Sequence, residues 1–142
     1  MNQRKLILII SVVLLLGSAS CISLKPAIYS RPYLCDAEKG EWVKSASVGP
    51  ESFHIRSLSV TVFDNKIIAS GSVLDIGKQK VLPGVYIFLL QGDTCRCKLT
   101  GPVGRTDYTG RFHIKLAKEY CFRLLLYYPG MVSQEIRILN CH

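Results

Sequence analysis

The sequence predicts an all-β protein: a seven-stranded antiparallel β-sandwich preceded by a signal peptide helix and an irregular lead-in. From residue 57 onward, apolar side chains stand at every second position in short runs, which is the period of a strand with one buried face. After the N-terminal segment, no apolar stripe at helical spacing is longer than two turns. A sheet with one apolar face must cover it with another layer, and a chain of 142 residues has room for one such core.

Residues 1–20 have the composition of a signal peptide. A basic stretch with Arg4 and Lys5 precedes an apolar run over 6–16, which is too short for a helix that crosses a membrane. Small residues then lead to Cys21, an arrangement that resembles the lipobox of bacterial lipoproteins. We therefore expect an exported protein, lipid-anchored through Cys21 to a membrane of the bacterial cell envelope. A periplasmic or secreted protein without the lipid is the alternative.

The charge pattern argues against a nucleic-acid partner. The chain has 18 Lys and Arg against 10 Asp and Glu, but beyond the signal peptide no two basic residues are adjacent. Nucleic-acid binding needs a basic stripe, usually with exposed aromatic side chains, and the sequence has neither. The scattered charges are typical of a solvated surface.

The mature chain divides into a lead-in over 21–56 and a sandwich over 57–142. The lead-in mixes proline, serine, glycine and charges without a sustained period, which predicts a tether and irregular structure. In the sandwich, the apolar positions of the first two strands are Leu58, Val60 and Val62, then Ile67, Ala69, Gly71 and Val73. A turn follows over 75–80, and 85–90 is apolar on both faces, as expected of a central strand.

The second half of the sandwich continues the same alternation. Gly92 to Gly104 is predicted to be a loop because Gly101-Pro102 interrupts it. The apolar positions of the remaining strands are Phe112, Ile114 and Leu116, then Tyr120, Phe122, Leu124, Leu126 and Tyr128, then Ile136 and Ile138. Pro129-Gly130 predicts the turn between the last two strands.

Three groups of residues carry a resemblance to a known family. They are Ser70–Asp75, Val81–Leu89 and Thr106–Leu116, in the family's order. Pro83 fixes one φ and Gly84 frees the next, while Asp107 and Gly110 predict a tight turn. The combination resembles the carboxypeptidase regulatory-like domains, whose fold is a seven-stranded, transthyretin-like and immunoglobulin-like sandwich. The resemblance covers 66–139 and implies a non-catalytic structural or interaction module.

The histidines do not have the spacing of a metallocarboxypeptidase zinc site. Such a site needs a His with a Glu three residues later, whereas His54 is followed at that spacing by Ser57 and His113 by Leu116. We therefore expect no enzyme, no cofactor and no metal. A Ser/His/Asp group assembled by folding is the catalytic alternative.

The cysteines of an exported chain predict disulfides. If the last hairpin pairs Leu126 with Ile136, then Cys121 stands directly opposite Cys141 and within disulfide range. We predict a Cys121–Cys141 bridge on this basis.

The remaining cysteines leave two alternatives open. Cys95 and Cys97 are too close in sequence to bond each other comfortably, so a second bridge would join Cys35 to one of them. The alternative is a zinc or copper site built from Cys95, Cys97 and a histidine, because thiolates are soft ligands.

The expected function is therefore a structural or protein-interaction role in the cell envelope, exerted through loops or an exposed strand edge. Carbohydrate binding is a second class. Its candidate sugar platforms are Trp42, Tyr127 and Tyr128, whose other interpretation is packing within the fold.

Overall fold

The computed structural model of the protein describes residues 21–36, 38–44, 52–91, 96–117 and 123–138. Within these ranges every regular element is a β-strand, and every strand pair is antiparallel. The predicted all-β class is therefore confirmed. The predicted signal peptide lies outside the described residues, and the part of the chain that is described has no helix long and apolar enough to cross a membrane.

The strands form two five-stranded sheets and a separate two-stranded ribbon. In chain order they are β1 (Ile22–Leu24), β2 (Pro26–Arg31), β3 (Tyr33–Asp36), β4 (Glu41–Lys44), β5 (Phe53–Phe63), β6 (Lys66–Asp75), β7 (Lys80–Val81), β8 (Tyr86–Gln91), β9 (Lys98–Arg105), β10 (Arg111–Ala117), β11 (Arg123–Tyr127) and β12 (Ser133–Ile138). The first sheet has the order β1-β5-β6-β10, with β7 beside β6, and the second has the order β2-β12-β11-β8-β9. Strands β3 and β4 form the ribbon.

One hydrophobic core joins the two sheets. Val60, Ile67 and Phe112 of the first sheet pack in the same buried cluster as Ile87 and Leu124 of the second. These side chains occupy the predicted alternating positions, because successive residues of a strand point to opposite faces. The inner faces of the two sheets therefore cover each other.

The described parts of the lead-in contain strands, where the sequence predicts an irregular tether over 21–56. Ile22 lies opposite Val62 at the edge of the first sheet, and β2 pairs with β12 at the edge of the second. Ile28 and Tyr29 of β2 are largely exposed, so this edge strand has no alternating buried face for the sequence to reveal. The four lead-in strands β1 to β4, together with the two-residue β7, account for the five strands in excess of the predicted seven.

A β-bulge hides the start of β5, which begins at Phe53 rather than near residue 57. Phe53, Ile55 and Val60 are all buried although their spacing breaks a strict period of two. The register with β6 shifts between Arg56 and Ser59, which adds a residue on β5 and resets the alternation.

The predicted loop from Gly92 to Gly104 is wrong in its second half, because β9 covers Lys98–Arg105. This strand is at the edge of its sheet, so Pro102 does not need an N–H group to bond a further strand. The pairing with β8 also shifts on both sides of Phe88, which accommodates the Gly-Pro sequence.

The register of the last hairpin also differs from the predicted one. Leu124, not Leu126, lies opposite Ile136. Gly130 has a φ of +80° and the Met131 N–H donates to the Tyr128 carbonyl at 3.2 Å, so Pro129 and Gly130 are the central residues of the turn. The hairpin therefore closes one position earlier than the prediction required.

The predicted Cys121–Cys141 bridge loses its basis with this correction. Its only support was a register in which the two cysteines face each other, and the observed pairing is displaced by two residues. Cys121 and Cys141 themselves lie outside the described residues.

Candidate functional site

The β3–β4 ribbon covers the outer side of the second sheet. Cys35 on β3 forms a disulfide with Cys97 at a Cα–Cα distance of 5.8 Å, which is one of the two pairings expected for Cys35. Leu90, Cys97 and Leu125 form a small second core, against which Trp42 of β4 packs. We call the outer side of β12, β11 and β8, with the ribbon above it, the covered face.

The disulfide bears on two predictions. Because the Cys97 sulfur is bonded to Cys35, it is not available as a thiolate ligand, and the metal site based on Cys95 and Cys97 is not supported. Cys95 lies outside the described residues, among which no group of three metal-ligating side chains occurs. A disulfide that links distant parts of the chain also indicates an oxidising compartment.

A buried carboxylate on the covered face is bound by three arginines. Glu135 is fully buried, and its Oε1 accepts hydrogen bonds at 2.6 Å from the Nε atoms of both Arg123 and Arg137. Its Oε2 accepts a bond from Arg31 of β2. Burial by itself would raise the pKa of Glu135, but the bonds from Arg137, Arg123 and Arg31 outweigh it and lower the pKa to about 2. The carboxylate therefore ties β2 and β11 to β12.

The three predicted sugar platforms do not share a surface. Trp42 lies in the ribbon with the guanidinium of Arg31 5.5 Å from its ring centroid, and Tyr128 packs against the main core. Tyr127 lines a small apolar cavity of about 150 Å³ between the ribbon and the sheet, with Leu34, Cys35, Phe88, Leu99 and Leu125. Each of the three residues is half-buried, and Trp42 and Tyr128 pack against hydrophobic clusters.

The turn residues predicted from the sequence cluster at one end of the sandwich. Gly84 and Gly110 have φ values of +78° and +73°. The buried Thr106 hydroxyl accepts a hydrogen bond from the Val85 N–H and donates one to the Leu82 carbonyl, both at 2.9 Å. Thr106, which directly follows β9, thereby holds the backbone on both sides of Pro83 and Gly84.

Asp107 organises its own turn. Its Oδ1 accepts hydrogen bonds from the Thr109 hydroxyl at 2.6 Å, the Thr109 N–H at 2.8 Å and the Arg111 N–H at 3.0 Å. The bond from the Thr109 hydroxyl is the main cause that lowers the pKa of Asp107. Gly110 closes the turn, where a Cβ would lie 2.9 Å from the Val73 carbonyl oxygen.

The outer side of the first sheet is open and basic. Directly paired residues of neighbouring strands share a face, so Arg56, Ser72 and Arg111 form a row across β5, β6 and β10. The next row consists of Ser59, Ser70 and His113. We call these two rows the basic face.

The arginines of the basic face form no ion pair within the described ranges, although the charge of Arg111 acts on the nearby Asp107 carboxylate. Arg56, Arg111 and His113 are exposed, and none of them has an ion pair within the described ranges. A cavity of about 600 Å³ opens beside the two rows and is lined by residues that include Ser57, Ser72, Arg105, Asp107, Arg111 and His113. The face therefore presents guanidinium and hydroxyl donors to solvent.

Serine, histidine and aspartate do meet at this cavity, but not as a catalytic triad. His113 has no hydrogen bond to Ser57, Ser70 or Ser72 in the described part of the chain, and Asp107 uses Oδ1 for its own turn. A nucleophile needs a base within hydrogen-bond reach, which is in turn oriented by a third group. The alternative of a Ser/His/Asp group finds no geometric support here.

Sequence reasoning missed the most exposed aromatic side chain of the described residues. Tyr108 is 88% exposed at the tip of the turn between Asp107 and Thr109. Its position inside a tight-turn sequence is the signal that identifies it, because the middle of such a turn points to solvent.

Comparison with known proteins supplies no relative for this site. No family model matches the chain, and the comparisons with curated proteins and with solved structures found no match. The functional interpretation therefore depends on the geometry described above.

Proposed function

We propose that this protein is a non-catalytic module of the bacterial cell envelope, anchored by a lipid on Cys21, that binds an acidic segment of a partner protein through the basic face. The observation that carries the proposal is the row of Arg56, Ser72 and Arg111, in which two exposed arginines are not held in an ion pair among the described residues. Such donors favour a ligand that brings its own carboxylates.

The spacing of the row fits an extended acidic peptide. Arg56 and Arg111 are separated by two strand spacings, about 10 Å between backbones. Acidic side chains at alternate positions of an extended chain stand about 7 Å apart, and flexible arginine side chains reach both. Ser72 lies between the arginines and offers a hydroxyl donor to the peptide.

The family resemblance supports the same class of function. Between Phe53 and Ile138 the long strands are β5, β6, β8, β9, β10, β11 and β12, which agrees in number with a seven-stranded, transthyretin-like sandwich. The motif residues Gly84 and Gly110 both adopt positive φ at one end of this unit. We infer that 53–138 is a carboxypeptidase regulatory-like domain with an interaction role.

In vivo photo-cross-linking tests the proposal. A photoreactive amino acid in place of Ser72 should cross-link to an envelope protein, and mass spectrometry should locate the adduct in an acidic peptide. The synthetic peptide should then bind the purified protein, with at least about tenfold weaker affinity for the Arg56→Glu/Arg111→Glu variant.

Lys78→Glu/Lys80→Glu is the matched control. It makes the same change in net charge at two exposed lysines outside the row, one in the turn after β6 and one at the start of β7. Equal loss of affinity in both variants, or an adduct in a neutral peptide, would contradict a specific role for the basic face. Mass spectrometry of the mature N-terminus separately tests the lipid on Cys21.

Carbohydrate binding is the second candidate because Tyr108 is 88% exposed and directly follows Asp107, which lines a cavity with hydroxyl and guanidinium groups. An exposed aromatic ring next to hydrogen-bond donors suits a sugar, which has apolar faces and polar edges. A glycan array should then show binding that Tyr108→Ala abolishes and Tyr33→Ala, at a 45% exposed tyrosine elsewhere, preserves. An array without binding would remove this candidate.

A further inference from the structure

We propose that the end of the first sheet next to Cys21 lies directly on the membrane, with Ile22 and Phe63 inserted at the bilayer surface. The inference rests on the proposed lipid anchor and adds to it an orientation and a second contact. Its starting point is the absence of a spacer: Cys21 is exposed, and β1 begins at the very next residue. A lipid on Cys21 would therefore hold the folded domain itself, not a flexible segment, at the bilayer.

The strand register shows which residues share this end. Ile22 lies opposite Val62, so Cys21 reaches the level of Phe63, the last residue of β5. Across the turn, Phe63 lies opposite Lys66, and Lys66 lies opposite Ala117 at the end of β10. We call this set of Cys21, Ile22, Phe63, Lys66 and Ala117 the Cys21 end.

The exposed side chains at the Cys21 end suit a bilayer. Ile22 is 54% exposed and Phe63 is 44% exposed, although most other large apolar residues of β5 and β6 face the core. Apolar and aromatic side chains partition into the interface between headgroups and acyl chains. Lys66 and Lys115 are also exposed nearby, and lysines are attracted to anionic lipid headgroups.

The position of the lipid anchor favours a bilayer, rather than a protein, as the surface that covers the Cys21 end. Consecutive Cα atoms are about 3.8 Å apart, so Ile22 cannot leave the interface while a lipid on Cys21 is inserted. A partner protein or a second copy of this chain could bind the same end only by separating Ile22 from the bilayer in which the lipid on Cys21 is inserted. The occupant is therefore an anionic phospholipid bilayer.

This orientation places the basic face away from the membrane. Ser72 is six residues along β6 from Lys66, a rise of about 20 Å at 3.3 Å per residue. The turn that carries Tyr108 leads into Arg111, the partner of Ser72, and so lies at the same distant end. The binding residues would face the aqueous compartment, where a partner protein is accessible.

Quenching of tryptophan fluorescence by brominated lipids tests the inference. The full-length protein is expressed, and its mature form is reconstituted in vesicles of phosphatidylethanolamine and phosphatidylglycerol whose acyl chains carry bromine. In the Phe63→Trp variant we expect about a twofold fall in emission relative to unbrominated vesicles. Tyr108→Trp is the matched control at the distant end and should show no fall beyond the shared Trp42 background. Thermal unfolding of both variants verifies that they fold.

The mass of the N-terminal peptide separates the two claims. If Cys21 is acylated and Phe63→Trp is not quenched, the membrane-facing end is wrong while the anchor stands. Equal quenching at both positions would overturn the proposed orientation. If Cys21 is not acylated, the anchor is wrong, and the surface proposal survives only if Phe63→Trp of the unacylated protein is still quenched by added vesicles.

Discussion

The two sheets have similar inner faces but opposite outer faces. On the covered face, a disulfide holds the ribbon, and the three arginines that bind the buried Glu135 are each at most about one-third exposed. On the basic face, Arg56 and Arg111 are exposed and have no ion pair within the described ranges. The charges of the covered face therefore stabilise the fold, whereas those of the basic face are available to bind a ligand.

The difference between the two faces follows from the energetics of buried and exposed charges. A buried carboxylate is costly unless several donors compensate it, so its partners have little freedom to bind anything else. An exposed arginine is stable in water without a partner and contributes little to folding. Substitutions on the two faces should therefore affect different properties, stability on one and binding on the other.

The largest effect is expected for Glu135→Gln. The substitution leaves three arginines gathered around a neutral group, and removing one partner of a buried ion cluster costs about 3 to 5 kcal/mol. Urea unfolding followed by circular dichroism should show this loss of stability near pH 7. Glu38→Gln, the same chemical change at an exposed position of the ribbon, is the control and should change stability by less than about 0.5 kcal/mol. Similar stabilities for the two variants would mean that the cluster does not hold the sheet together.

The second effect is expected for removal of the disulfide. Cys35 and Cys97 are 62 residues apart, and loss of such a cross-link in Cys35→Ser/Cys97→Ser should cost about 2 to 4 kcal/mol. Because the bridge fixes the ribbon to the covered face, Trp42 emission should shift toward that of a solvated indole. Affinity at the basic face should stay the same. A variant that lost that affinity while still folded would show that the two faces are coupled.

Acidification should remove the contribution of Glu135. Its pKa is about 2 in the folded protein against an ordinary value of 4.5. A lowered pKa means that the folded state favours the charged form, so the stabilisation is complete above pH 4.5 and declines as the pH falls toward 2. The loss should be on the order of 2 to 3 kcal/mol.

Urea midpoints measured from pH 6 to pH 2 test this expectation. The difference between the wild type and Glu135→Gln should shrink toward zero as the pH falls, because both then have a neutral side chain at this position. Subtraction of the variant also removes the parallel contribution of Asp107, whose pKa is lowered as well. A difference that does not change with pH would show that the charge of Glu135 is not the source of its effect.

The sequence predicted the parts of the fold that obey a local rule. The alternation at Val60, Ile67 and Phe112 correctly identified inward positions, because burial of one face forces a period of two. The bulge after Arg56 and the Gly-Pro sequence of β9 interrupt that period. The predicted start of β5 is therefore too late, and β9 is predicted as a loop. Local patterns also do not predict β2, because this strand pairs with β12, which is more than 100 positions away in the chain.

The two faces were less predictable because each depends on contacts between distant residues. Glu135 precedes the inward-facing Ile136 and so resembles a solvent-facing residue of β12, but it is buried and bound by three arginines from three strands. The row of Arg56 and Arg111 likewise arises from strand order, since 55 positions separate the two residues in the chain. The spacing of residues within one segment of the sequence therefore predicts neither the arginine cluster at Glu135 nor the row of Arg56 and Arg111.

The smallest effect on stability is expected for Arg56→Gln/Arg111→Gln, and it is the sharpest test of the contrast between the faces. Both side chains are exposed and have no ion pair among the described residues, so their neutralisation should change the free energy of unfolding by less than about 0.5 kcal/mol. The same variant should weaken binding of the acidic peptide and reduce its dependence on salt, since fewer charges then attract it. Chemical unfolding and a salt titration of peptide affinity measure the two properties on one sample. A clear loss of stability with unchanged affinity would reverse the roles assigned to the two faces.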